Sequence, residues 1–167
     1  VTVQSDMETA LKNIKQEMID QIKYFESKKL FIEAERIERR TKADLAMMRE
    51  IGYCNGVENY SRQLDFREPG TPPFTLIDYF RYTHGDDFLV FLDESHASVP
   101  QLRGMYPGDK ARKGTLVEYG FRLPSAVDNR PLTFEEFNKK VNQIIYVSAT
   151  PASYEIEKSR PNIAEQL

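Results

Sequence analysis

The stretch "FLVFLDESHASVPQ", residues 88–101, decides the fold class. Its apolar run is too short for a helix, and its aromatic and branched side chains predict a strand that is buried on both faces of a parallel sheet. The run ends abruptly in Asp93, Glu94 and His96. Ligands gather at the carboxyl ends of parallel strands, so the stretch predicts an α/β protein with a functional strand end.

A second apolar run ends in a similar way. In "QIIYVSATP", residues 143–151, the hydroxyl residues Ser148 and Thr150 follow a predicted strand. Before it, "TFEEFNKKV", residues 133–141, has a Thr followed three residues later by Glu, which predicts a capping box and a short helix. A helix followed by a strand is typical of a sheet with crossover helices. Without this second strand, "DESH" would indicate only a charged surface turn.

The first fifty residues predict two helices. Apolar residues at steps of three and four run from Met7 to Phe25, with Asp6 as a candidate N-cap, and a second stripe runs from Phe31 to Met48. Gly52 is a suitable C-terminal stop. The stripes predict a helical hairpin whose apolar side chains form a core.

Residues 52–87 have an irregular composition. Pro and Gly residues predict a loop at 67–73, and "RYTHGDD", residues 81–87, predicts another. Between these loops, "FTLIDYF", residues 74–80, predicts a short helix.

The composition is 40% hydrophobic and 29% charged, as in ordinary soluble proteins. No apolar run is long enough to cross a bilayer, and one Cys with two His argues against a disulfide framework or a structural zinc site. We therefore expect a cytoplasmic protein with no membrane contact. The first residue is Val1, which suggests a piece of a longer protein; the alternative is removal of a start Met by processing.

The net charge of −3 hides one basic segment, residues 101–130. Its basic residues are Arg103, Lys110, Arg112, Lys113, Arg122 and Arg130, against the acidic Asp109, Glu118 and Asp128. Phosphate contacts need Lys and Arg together, so this segment is the first candidate for nucleic-acid binding. The alternative is a solvated loop with a mildly positive charge.

Two carboxylates at one strand end suit a nucleotide triphosphatase. Asp93 would hold the hydrated Mg²⁺ of the nucleotide, and Glu94 would orient or deprotonate the attacking water. His96 could hydrogen-bond to the hydroxyl residues after the second strand. No G-x-x-x-x-G-K-[ST] motif occurs, and "GDKARKGT", residues 108–115, lacks the second Gly before a Lys. The residues thus predict half of an ATP site.

Longer stretches carry a family resemblance. DExH followed by SAT resembles motifs II and III of superfamily 2 helicases. "GYCNGVENYSR", "DESHASVPQLRGMYPGDKARK", "YGFRLPSAVDNRPLTFEEF" and "QIIYVSATPASYEIEKS" together resemble the UvrB family of bacterial nucleotide excision repair. The resemblance implies an α/β fold: part of a P-loop (RecA-like) helicase core with parallel strands, and an N-terminal helical hairpin. It assigns 1–85 to a helical inserted subdomain and 86–167 to the C-terminal part of helicase domain 1.

The resemblance also implies residue roles. Asp93 and Glu94 would be the Walker B acids, with Asp93 reaching Mg²⁺ through the nucleotide. His96, Ser148 and Thr150 would couple the nucleotide site to DNA.

A second group of residues would lie along the DNA. By the resemblance, Phe121 would stack on a base and Arg122 would contact a phosphate or a base. Tyr60 and Arg62 are weaker candidates for the same surface. For Phe121 and Tyr60, the alternative is that the aromatic ring is packed in the hydrophobic core.

For the whole protein, the resemblance implies a DNA-dependent ATPase, a helicase-like excinuclease subunit that uses ATP and Mg²⁺ on damaged DNA with UvrA and UvrC. We expect the isolated chain to be inactive and, with its sheet edges exposed, to self-associate. One alternative is a non-catalytic UvrB-like module that binds UvrA, as in transcription–repair coupling factors; the intact "DESH" and "SAT" argue against it. Another is a different superfamily 2 translocase, such as a restriction subunit, against which "GFRLPSAVDNRPL" argues.

Overall fold

The computed structural model describes residues 4–165, which form two compact units. The helical unit combines the residues up to Pro73 with Asp109–Pro131, and the sheet unit combines Phe74–Gly108 with the residues from Leu132 onward. These divisions differ from the boundary that the resemblance implies between residues 85 and 86. That boundary stays a prediction.

The predicted helical hairpin is confirmed by helices α1, Gln4–Ser27, and α2, Phe31–Ile51. Asp6 lies in the first turn of α1 and is not its N-cap, because the helix already includes Gln4. Gly52 ends α2 in a left-handed conformation and donates its N–H to the Met48 carbonyl at 3.0 Å. The apolar stripes of both helices form the core of the unit; its buried side chains include Leu11, Ile14, Met18, Phe25, Ala34, Ile37, Leu45 and Met48.

Short helical turns complete the helical unit. A 3₁₀ turn at Val57–Tyr60 leads into α3, Ser61–Leu64, and a second 3₁₀ turn covers Pro124–Asp128. Gly120 allows the "GFRLPSA" segment to approach α2 closely. Its φ is +69°, and a Cβ at this position would lie 2.5 Å from the carbonyl oxygen of Glu33, so a larger residue does not fit.

The sheet unit contains the two predicted strands. Strands β1, Leu89–Leu92, and β2, Gln143–Tyr146, pair in parallel, with Leu89 opposite Gln143 and Leu92 opposite Tyr146. The predicted α/β class with parallel strands is therefore confirmed. In the described part of the chain the sheet has these two strands alone.

Helices precede and follow β2. Helix α6, Phe134–Lys140, begins at the predicted capping box, because the Thr133 hydroxyl accepts the Glu136 N–H at 3.1 Å and the Glu136 carboxylate accepts the Thr133 N–H at 2.8 Å. Helix α7, Ser153–Ser159, follows the strand.

The prediction that β1 is buried on both faces was wrong. Phe91 is 64% exposed and Leu89 is 45% exposed. Both side chains point to one face of the sheet, and no element in the described residues covers that face. An apolar run indicates a strand that can be buried, but burial depends on a second layer.

Two helices extend through predicted loops. Helix α4, Leu76–His84, was expected to end at residue 80 but continues through "RYTH" until Gly85. Helix α5, Ser95–Glu118, fills most of the basic segment, so the loop alternative was wrong there. Pro100 and Pro107 lie inside α5. Because proline removes a backbone donor and normally breaks a helix, the sequence pattern did not predict a helix there.

Candidate functional site

Asp93 and Glu94 form the turn that leads from β1 into α5. The Glu94 N–H donates to Asp93 Oδ1 at 2.9 Å, and the Ser98 hydroxyl donates to the Asp93 carbonyl at 2.8 Å. Glu94 has a φ of +45°, a left-handed conformation that is uncommon for residues other than glycine. These bonds hold the sharp turn and leave both carboxylates exposed to solvent.

Backbone hydrogen bonds extend the pairing of the two strands beyond their ends. The Val147 N–H donates to the Leu92 carbonyl, and the Ser95 N–H donates to the Val147 carbonyl, each at 3.0 Å. The start of α5 is thereby fixed beside the residues that follow β2.

His96 spans the same two segments through its side chain. His96 Nδ1 lies 2.7 Å from Ser148 Oγ and 3.4 Å from a carboxylate oxygen of Glu94. Ser148 Oγ also accepts the backbone N–H of Thr150 at 3.1 Å. The expected contact between His96 and the second strand end is thus present, with Ser148 as the partner. Thr150 joins the network through its backbone, while its hydroxyl makes no described contact with His96.

The donor set at this strand end fits a metal that arrives with a nucleotide. Asp93 has one carboxylate oxygen in the turn and a second that is available, and Mg²⁺ prefers carboxylate oxygen while it keeps several waters. Among residues 4–165, no group of three or more His, Cys, Asp or Glu side chains could hold a metal ion. Among the described residues, Asp93 is therefore the group at this strand end that could hold such an ion, with the remaining ligands supplied by water or by other groups.

Phe121 and Arg122 lie in the helical unit, after the close approach at Gly120. Phe121 is 41% exposed, and the Arg36 guanidinium carbon lies 4.3 Å from its ring centre. Arg122 Nη1 donates to the Phe121 carbonyl at 2.8 Å. Burial lowers the pKa of Arg122, and the nearby charge of Arg40 lowers it further. Phe121 therefore keeps an exposed ring surface beside a partly desolvated arginine.

Tyr60 and Arg62 do not join this exposed surface. Tyr60 is 5% exposed, and its hydroxyl donates to Asp44 Oδ2 at 2.6 Å. Burial and this acceptor raise the pKa of Tyr60. Arg62 Nη1 lies 2.7 Å from Asp128 Oδ2 in a largely buried ion pair. The core alternative is therefore correct for Tyr60. The positive charge of Arg62 is paired with the carboxylate of Asp128 inside the helical unit.

Comparison with known proteins gives one consistent family. Residues 5–66 match the family model described as the UvrB third helical domain. Over all 167 residues, the chain is 57% identical to UvrABC system protein B of Bacillus caldotenax and of Geobacillus kaustophilus, covering 25% of each. The match to the same protein of Caldicellulosiruptor bescii is 55% over 167 residues and 24% of its length. The resemblance to UvrB is confirmed. The chain spans about a quarter of the length of these UvrB relatives.

Two arginines beside Phe121 and Arg122 were missed in the sequence of this UvrB-like chain. Neither Arg36 nor Arg40 was among the residues predicted for a site, yet Arg36 lies over the Phe121 ring and the charge of Arg40 acts on Arg122. Their spacing of one helical turn places both on one face of α2. That spacing was visible in the sequence, but the segment that packs against it is eighty-three residues away, as the Arg36–Tyr119 hydrogen bond shows.

Proposed function

We propose that the chain is part of an ATP-dependent, helicase-like subunit of bacterial nucleotide excision repair, which inspects DNA for damage. The observation that carries this proposal is the pair of exposed carboxylates at the end of β1, joined to the end of β2 through His96 and Ser148. Similarity to UvrB along the whole chain supports it. None of the helices in the described residues is long and apolar enough to cross a membrane.

The proposed chemistry assigns one task to each acid. Asp93 would hold the Mg²⁺ of ATP through its available oxygen, and the ion would offset phosphate charge when bound. Glu94 is exposed to solvent in a left-handed turn. Its carboxylate can therefore orient a water molecule or accept a proton from that water. His96 contacts both Glu94 and Ser148, so a change at Glu94 can reach the segment after β2.

The same proposal predicts that the isolated chain hydrolyses no ATP. Its sequence has no G-x-x-x-x-G-K-[ST] loop to bind the phosphates, so the acids lack a positioned substrate. The test is an ATPase assay of the 167-residue chain, with and without single-stranded DNA. We expect no turnover above that of the Glu94→Gln variant. Clear turnover in the unmodified chain that disappears in Glu94→Gln would overturn the proposal of an incomplete site.

We further propose that DNA binds along Phe121 and Arg122, and that UvrA and UvrC are partners of the whole protein. An unpaired base stacked on an aromatic ring contributes about 1–3 kcal/mol without regard to sequence, which suits inspection of any DNA. Phe121→Ala should therefore weaken single-strand binding by about fivefold or more. Unchanged binding in this variant would contradict the proposed DNA contact.

A further inference from the structure

Helix α5 contacts the segment between β2 and α7 at two places. Near the start of the helix, His96 Nδ1 lies 2.7 Å from Ser148 Oγ. Seven residues further along, the guanidinium carbon of Arg103 lies 4.4 Å from the centre of the Tyr154 ring. Seven residues are close to two helical turns, so His96 and Arg103 lie on the same face of α5. One face of one helix therefore holds the segment from Ser148 to Tyr154 at both of its ends.

Arg103 makes its contacts through aromatic rings. Its guanidinium carbon also lies 4.8 Å from the centre of the Phe134 ring, and the rings of Phe134 and Tyr154 meet edge to face with their centres 5.6 Å apart. Among residues 4–165, Arg103 forms no hydrogen bond or ion pair. Tyr154 also meets the ring of Tyr146, the last residue of β2, edge to face at 6.2 Å. The contact with Arg103 thus fixes where α7 begins after β2.

Pro100 separates the two contact points along α5. In a regular α-helix the N–H of residue 100 would donate to the carbonyl of His96, but proline has no N–H. The turn that carries His96 is therefore joined to the later turns by one hydrogen bond fewer than usual. The contact between Arg103 and Tyr154 compensates for this loss, because it holds the segment that contains the partner of His96 against the helix beyond Pro100.

We infer that Arg103 is a positioning residue: by holding Tyr154, it keeps Ser148 within hydrogen-bond distance of His96. This inference rests on the proposed function and deepens it, because the contact between His96 and Ser148 is the proposed link from Glu94 to the segment after β2. Arg103 has no described contact with Glu94. Its effect therefore passes through the Tyr154 ring and the segment that precedes it.

The inference is tested by NMR on the 15N-labelled chain of 167 residues at low concentration. The Thr150 N–H donates to Ser148 Oγ, so its exchange with water reports how often this end of the segment opens. Arg103→Gln should raise that exchange rate by about two- to fivefold, the size of an exposed cation–π contact. The Val147 N–H, which bonds to the Leu92 carbonyl, should keep its rate.

The histidine ring signals give a second readout that a general loss of stability would not reproduce. The chain has two histidines, and the ring of His84 serves as a reference in the same spectrum. Ser148→Ala supplies the position of the His96 Nδ1 signal without the contact. In Arg103→Gln the His96 signal should move toward that position, while the His84 signal stays in place.

Lys158→Gln is the matched control. Lys158 Nζ lies 6.0 Å from the centre of the same Tyr154 ring, but both residues belong to α7, so this contact does not join α7 to α5. The control should change neither readout. Arg103→Lys, which keeps a cation for the ring, should restore part of the protection at Thr150. Tyr154→Leu should act like Arg103→Gln, and the double variant should show no further increase.

The outcomes separate this inference from the proposal on which it rests. If Arg103→Gln behaves like Lys158→Gln, or if the Val147 N–H exchanges faster in parallel with that of Thr150, the positioning role is overturned. Additive effects of Arg103→Gln and Tyr154→Leu would also overturn it. The proposed function would fail differently: in the full-length parent protein, Ser148→Ala would leave DNA-stimulated ATP hydrolysis unchanged although NMR showed the contact with His96.

Discussion

Gly120 shows how one residue sets the position of the candidate DNA-binding segment. Its backbone lies against the first turn of α2, where a Cβ would be 2.5 Å from the Glu33 carbonyl oxygen and 2.9 Å from the Glu33 Cα. Neither backbone atom can rotate away, in contrast to the end of a flexible side chain. Its positive φ adds strain for any larger residue. The side chains that follow, Phe121 and Arg122, depend on this contact for their place beside Arg36 and Arg40.

Gly120→Ala should therefore destabilise the helical unit by at least about 2 kcal/mol, from the forced shift together with the left-handed conformation. The measurement is urea unfolding followed by circular dichroism. Gly114→Ala is the control, because Gly114 lies inside α5 with open space around its Cα. That change should stabilise the protein by about 0.5–1 kcal/mol. Equal midpoints for the two variants would contradict the packing at Gly120.

At the scale of the secondary-structure elements, the sequence predicted those whose pattern is local. The apolar stripes of α1 and α2, the capping box of α6 and the short apolar runs of β1 and β2 each lie within one segment. Helix α5 was missed because two prolines and several glycines oppose its local propensity. Its contacts with residues distant in sequence, such as Arg103 with the Phe134 ring and Lys113 with the Asn129 carbonyl, do not appear in a local pattern. The exposed face of β1 was missed because burial depends on neighbouring layers, about which a single strand carries no information.

Helix α4 has an N-terminal anchor that links it to α6. The Asp78 carboxylate accepts hydrogen bonds from the Thr75 N–H at 2.7 Å, from the Thr75 hydroxyl and from Lys140. Burial alone would raise the pKa of Asp78, but the bonds from Lys140 and Thr75 outweigh it and hold that pKa below its usual value. The charged form of Asp78 thus stabilises the start of α4 and its contact with α6.

Lys140→Met should lower the stability of the sheet unit by about 1.5–3 kcal/mol, the usual range for a hydrogen bond to a charged group. Hydrogen exchange should show faster exchange in α4. Because the folded pKa of Asp78 is depressed, its stabilising effect is present above the ordinary carboxyl pKa and is lost as the pH falls below it. The variant should lose less stability than the unmodified chain over that acid range. Lys139→Met, at the exposed neighbouring position, should change neither measurement.

At the scale of the whole molecule, the candidate sites were predicted only in part. The strand-end residues were predicted because each follows a short apolar run in the sequence. The structure brings two of them, His96 and Ser148, together as expected. Tyr60 and Arg62 were misplaced because their partners, Asp44 and Asp128, lie 16 and 66 residues away in the chain. Arg36 and Arg40 were overlooked for the same reason, since the segment they contact follows α5. A single sequence does not reveal which distant acid or ring a polar side chain meets.

The sheet unit carries the last prediction, which concerns how whole chains interact. One face of the sheet exposes Leu89, Phe91, Ile145 and Val147, all between 42% and 64% accessible. The parallel register places Phe91 directly opposite Ile145, so these side chains form a continuous apolar strip. Exposed apolar strips and unpaired strand edges favour association between copies. We therefore expect the 167-residue chain to self-associate as its concentration rises.

Sedimentation velocity over a range of concentrations would measure this association. The double variant Phe91→Lys and Ile145→Lys should shift the population to monomer, because burying a lysine in an apolar contact is unfavourable. Its circular dichroism should stay unchanged, since both side chains already face solvent. Tyr24→Lys is the matched control, because Tyr24 is 53% exposed but lies on α1 of the helical unit. Self-association that persisted in the double variant but disappeared in the control would place the contact on the helical unit. A monomer at every concentration would show that the exposed strip alone is insufficient to bring two copies together.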